Sequence, residues 1–135
     1  MPHEISIHND DVSVLLCELR FLIRYFMQLG HTNCEVVFGW HWGMEYPAGE
    51  PSATNRIPLV DLETEIRKPE LAGHGRFGGD DVKIRIASNE NLFVFCHHSG
   101  IHLNFETDNL VSRDFLARWS SKGLNPVERD TSGDV

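Results

Sequence analysis

Two imidazoles dominate the chemistry that this chain could perform. His97 and His102 flank a Ser99-Gly100 dipeptide inside LFVFCHHSGIHLNFE, and such a dipeptide between alternating apolar runs reads as a two-residue hairpin turn. That register sets His97 opposite His102, Cys96 opposite Leu103, Phe95 opposite Asn104 and Phe93 opposite Glu106. Directly paired residues hold their Cβ atoms about 5 Å apart, close enough for two neutral imidazoles to chelate a metal or share a proton. A metal needs a third ligand, and Glu106 on the same face is a candidate. Alternation gives Phe93, Phe95, His97, His102, Asn104 and Glu106 one face. Val94, Cys96, His98, Ile101, Leu103 and Phe105 take the other, which is apolar and meets the core. The first face is a set of stacked structural rings, a protein-binding surface, or the metal or acid–base site. Residue types alone leave the three open.

Other reactive-looking patterns carry less. Gly73-His74-Gly75-Arg76-Phe77-Gly78 satisfies GxGxxG, but a dinucleotide site needs a helix after it. The following Asp81-Val82-Lys83-Ile84-Arg85-Ile86 reads as strand. Asp80-Asp81 reads as a solvated turn. Cys96 and His97 are neighbours in a strand and point to opposite faces, which excludes a thiol hydrolase built on that pair. Asp61, Glu63 and Glu65 share one face if the segment around them is a strand. They then form either a charged guard against aggregation or an acidic patch that steers a basic protein into contact.

The elements that position these groups follow from periodicity. Asn9, Asp10 and Asp11 offer N-caps and Gly30 a left-handed stop, enclosing the helix DVSVLLCELRFLIRYFMQL. Its apolar circumference, broken by Arg20, Arg24 and Gln28, makes it the central helix of a core, or one that also meets a partner. Asn33–Trp42 alternates as a half-buried strand, with Cys34, Val36, Phe38, Trp40 and Trp42 on one face. Residues 43–58 read as a long surface loop, and Leu59–Leu71 as a strand in preference to a helix. Val82–Ala87 and the hairpin supply further strands. Val111, Phe115, Leu116 and Trp119 mark a helix that Gly123 ends, and residues 125–135 read as a frayed polar tail.

The resulting fold class is α+β. A two-layer sandwich is expected over residues 1–124, with an antiparallel sheet of four or five strands covered on one face by the N-terminal and C-terminal helices. A net charge of −8 repels phosphate backbones and disfavours nucleic acid. The basic start and apolar core of a signal peptide are lacking, and charges interrupt the longest apolar run, so no membrane span is expected. Three cysteines without CxxC spacing fit a reducing, cytoplasmic setting.

FGGDDVKIRI, LFVFCHHSGIHLNFE and VSRDFLARW, within a small acidic α+β chain, together resemble the small immunity proteins of bacterial polymorphic-toxin and contact-dependent inhibition systems. The resemblance implies a non-enzymatic domain without cofactors that binds and neutralises a cognate toxin. The residue-level expectation is a partner surface made of Asp61, Glu63, Glu65, Trp42, Tyr46, Phe93, Phe95, His97 and His102, facing a protein partner such as a basic toxin domain. A small metal- or ligand-binding protein or enzyme using His97 and His102, with Glu106, is the alternative. Homodimerisation through the first helix is a third arrangement.

Overall fold

The computed structural model describes residues 3–38, 54–71, 73, 75–86 and 90–130. Its α1 helix, Val12–Gln28, begins where the Asp11 carboxylate accepts the Ser13 amide at 2.9 Å. It ends in a Schellman motif: Gly30 at φ +93° turns the chain, and the His31 and Gly30 amides bond back to Phe26 and Met27. The last helix, α3 (Leu110–Ser121), opens on a reciprocal Asn109–Ser112 capping box. It closes in a second Schellman motif around Gly123.

Among the described residues, seven antiparallel strands form one sheet. They are β1 (His3–His8), β2 (Asn33–Phe38), β3 (Thr54–Pro58), β4 (Val82–Arg85), β5 (Asn91–Phe95), β6 (Gly100–Phe105) and β7 (Val127–Asp130), in spatial order β3-β2-β4-β5-β6-β1-β7. The α+β class is as expected, but the sheet is wider, and three α-helices accompany it among the described residues. The extra strands lie where no strand was expected: His3–His8, an unassigned stretch, between β6 and β7, Thr54–Pro58 inside the expected loop, and Val127–Asp130 inside the expected tail.

Leu59–Leu71 is helical instead of a strand, a 3₁₀ turn (Leu59–Asp61) leading into α2 (Leu62–Leu71). Leu59, Leu62, Ile66 and Pro69 fall at helical spacing and are all buried, while Val60 and Thr64 are exposed. The alternation that favoured a strand therefore matches no buried face.

The hairpin register also differs. Phe95 pairs with Ile101, Val94 with His102 and Phe93 with Leu103. The Cys96 amide donates to the Gly100 carbonyl at 2.9 Å, and the turn is the three residues His97, His98 and Ser99, with Ser99 at φ +59°. An odd shift of three exchanges the faces. Phe93 and Phe95 now join Ile101, Leu103 and Phe105 in the core. Burying two Phe side chains favours this arrangement by about 3–6 kcal/mol over one that leaves them outside.

One sheet face is covered by the helices. Leu15, Leu19, Leu22 and Phe26 of α1 pack among Ile5, Val36, Ile84 and the hairpin rings, and Phe115 of α3 stands 4.9 Å from Phe93 and 5.3 Å from Phe21. Glu18 lies inside this apolar stripe and is 2% exposed. Arg118 grips it with two bonds of 2.9 Å, the Trp119 indole donates at 2.8 Å, and Lys122 stands at 3.3 Å. Burial pushes the Glu18 carboxyl up, but these bonds and charges outweigh it and hold the group below the ordinary range.

Glu18→Ala leaves the Arg118 guanidinium and the buried indole without their acceptor. It should destabilise the fold by about 3–5 kcal/mol, read as a lower urea midpoint. The depressed folded value fixes the sign with pH: the stabilisation is present above the unfolded value of about 4.3 and is lost as pH falls through the lower folded value. Glu18→Gln should therefore flatten the acid limb of a stability–pH curve.

Candidate functional site

The sheet face opposite the helices follows from register. Residues paired across neighbouring strands share a face, which gives two complete rows. One runs Arg56, Glu35, Arg85, Leu92, Asn104, Glu4, Arg129, and the other Thr54, Val37, Lys83, Val94, His102, Ser6, Val127. All fourteen side chains are exposed or half-buried. Four cations stand there against two carboxylates, in a chain of net charge −8. The acidic excess therefore lies elsewhere on the molecule.

Arg56, Lys83 and Arg85 cluster at the β3-β2-β4 side. None has a hydrogen-bond or ion-pair partner among the described residues, and the Arg85 Nε is shielded from solvent with no acceptor. A cleft of about 250 Å³ lined by His31, Asn33, Glu35, Arg56 and Arg85 opens here. A second cleft of about 180 Å³, bordered by Val37, Thr54, Lys83 and Leu92, shares Glu35 and Arg85 with it. At the other end, a cleft of about 430 Å³ is lined by His8, Cys96, His98, Gly100, His102 and Asn125, among others.

The sequence-derived site residues are dispersed. Asp61 is exposed in the 3₁₀ turn. Glu63 is bound in a fork by Arg20 of α1, at 2.7 and 3.0 Å, and that guanidinium lowers the Glu63 carboxyl from its usual range. Glu65 pairs with Lys68 at 2.7 Å. In a helix these three acids do not share one face, because Glu63 turns away from Asp61 and Glu65. Phe93 and Phe95 are core, which corrects their assignment to the outer surface.

His97 and His102 are not cross-strand neighbours. His97 lies in the turn, where Asp81 accepts its backbone amide at 2.7 Å and meets its Nδ1 at 2.9 Å, while its ring lies 3.9 Å from that of His98. His102 is on the outer face, with Nδ1 3.3 Å from Glu4. Glu106 is exposed beyond the end of β6. Among the described residues, no three His, Cys, Asp or Glu side chains converge to hold a metal. Trp42 and Tyr46 lie outside the described residues.

Sequence reasoning missed Arg56, Arg85 and Glu4. Arg56 stood in an expected loop and Glu4 in an unassigned N-terminal stretch, so no local signal placed them on a sheet face. No helix among the described residues is long and apolar enough to cross a membrane. No protein-family model, curated protein or solved structure shows a significant match to the chain.

The Asp81 carboxylate holds the turn that separates the two histidines. Asp81→Ala should cost about 1 kcal/mol or more, whereas Asp81→Asn keeps an acceptor oxygen and should lose less. Urea melts of the two variants, with amide exchange at His97, check this.

Proposed function

We propose that this chain is a protein-binding domain that docks an acidic surface of its partner onto the outer face of the sheet. The observation that carries the reading is the group Arg56, Lys83 and Arg85, three cations without ion-pair partners among the described residues. Glu35 stands between Arg56 and Arg85 but forms no ion pair with either among the described residues, so the cluster keeps a net positive charge that raises the energy of the free domain and that an acidic partner relieves. Half-buried Val37, Leu92 and Val94 lie between and beside them, supplying apolar area for the centre of an interface with charge at its rim. The acids first expected to make contact are less suited, since Glu63 and Glu65 already face Arg20 and Lys68.

A protein partner fits better than a nucleic acid. The net charge opposes a polyanion, and the two described rows hold no Phe, Tyr or Trp ring on which a base could stack. The resemblance to immunity proteins makes a cognate toxin the partner class within this reading, neutralised by the sheet closing over an acidic part of its surface.

Native mass spectrometry on tagged protein from its own host identifies the stoichiometric partner, and association is then followed at low salt. Arg56→Glu with Arg85→Glu should slow association by about tenfold or more and flatten its salt dependence. Glu63→Lys with Glu65→Lys should leave the rate nearly unchanged. Unchanged association in the first pair, or loss confined to the second, overturns the sheet-face reading.

A further inference from the structure

Arg85 carries an unmet hydrogen bond inside a group of cations. β2 lies between β3 and β4, so Glu35 pairs with Arg56 on one side and with Arg85 on the other, and the three side chains share the outer face. Directly paired residues hold their Cβ atoms about 5 Å apart. Even so, neither guanidinium forms an ion pair with Glu35 or with any other described residue. The Arg85 Nε is also shielded from solvent and has no acceptor. Buried N–H groups are nearly always paired in native proteins, and one without an acceptor destabilises the chain that carries it. Turning the guanidinium outward exposes its Nε–Nη edge to the cleft of about 250 Å³ that Arg85 and Arg56 line with His31, Asn33 and Glu35. Water can meet that edge one bond at a time. A carboxylate meets it with two parallel, charge-assisted bonds.

We infer, resting on the docking reading above, that this cleft seats one carboxylate side chain of the protein partner. Arg85 grips it through the Nε–Nη edge, and Arg56 closes on it from β3.

Charge, shape and surroundings each select that occupant. The two guanidiniums and the Glu35 carboxylate leave the cleft lining with a single net positive charge, which suits a monoanion. A phosphate group, close to doubly charged at neutral pH, would bring its second charge against Glu35. The planar fork of Arg matches the planar carboxylate, whereas Lys offers only a compact point charge. The neighbouring cleft of about 180 Å³ shares Arg85 and is bordered by half-buried Val37 and Leu92. A protein surface covers that apolar area while it delivers the carboxylate; a free small acid leaves it wet. Lys83, which borders the same second cleft, adds positive potential during approach.

The seat is tested first on the free full-length chain, isotope-labelled at nitrogen. Its arginine Nε–H resonances are followed by NMR while acetate, and separately inorganic phosphate, replaces chloride at constant ionic strength. Acetate should move the Arg85 resonance along a saturable curve and leave Arg20, already held by Glu63, in place. Phosphate should bind about fivefold more weakly. Once native mass spectrometry has supplied the partner, Arg85→Lys separates gripping from steering. The charge is kept, so association should stay within about twofold of the parent. The fork is lost, so dissociation should quicken about tenfold. Thermal melts confirm that the variant is folded. Acetate in place of chloride should weaken the parent complex and have little further effect on that of Arg85→Lys.

An Arg85 resonance that acetate does not move, tighter binding of phosphate, or unchanged dissociation in Arg85→Lys overturns the seat. Acetate that moves Arg85 without weakening the complex assigns the cleft to a free small acid and overturns it as well. In each of these cases the docking face still stands if Arg56→Glu with Arg85→Glu slows association, so the two failures are told apart.

Discussion

A carboxylate inside an apolar helix stripe constrains how this molecule can be assembled. Glu18 is surrounded by Leu15, Leu19 and Leu22, where an unpaired charge costs several kcal/mol. Only one seat for α3 supplies Arg118, Trp119 and Lys122 together. That seat places Phe115 between Phe21 and Tyr25 of α1 and Phe93 of the sheet. The hairpin register then follows, because Phe93 must face inward to meet Phe115. Such buried ionic contacts add less net stability than an apolar replacement of equal fit, and they matter here by penalising other helix placements.

The same economy shapes the surface. On the helical side, charge is spent locally: Glu18 with Arg118, Glu63 with Arg20, Glu65 with Lys68 and Arg67 with Glu70. On the sheet side, Arg56, Lys83 and Arg85 form no ion pairs with described residues. A molecule of net charge −8 thus presents opposite characters on its two broad sides. The cationic clefts lie on the open one, toward β3. Antiparallel order makes this arrangement accessible, since one face needs no crossover helices over it.

Elements with strong local signals were legible in the sequence. The caps of α1 and α3, the buried trio Cys34, Val36 and Phe38, and the α+β class all follow from spacing and punctuation. The hairpin was legible as a hairpin but not in register. Ser99-Gly100 looks like a two-residue turn, and only packing selects the three-residue alternative that buries Phe93 and Phe95. Leu59–Leu71 misled because Val60 and Thr64 mimic a strand period while both face solvent. The sites were the least legible. Glu4 meets His102, and Arg56 lies across β2 from Arg85, through pairings far apart in the chain. No residue-by-residue pattern encodes them.

The place of β1 in the sheet has a consequence for biosynthesis. Its residues pair with β6 and β7, so His3 meets Phe105 and Asp130. When β1 is made, neither neighbour exists. At roughly 5–20 residues per second, β6 follows only after about 5–20 s. For that interval Ile5 and Ile7, both core residues, have no strand to pair with on a growing chain. The sheet therefore closes late, from pairings of high sequence separation, and slow folding is the outcome such a topology imposes. During that window a nascent chain depends on transient shelter for its first strand.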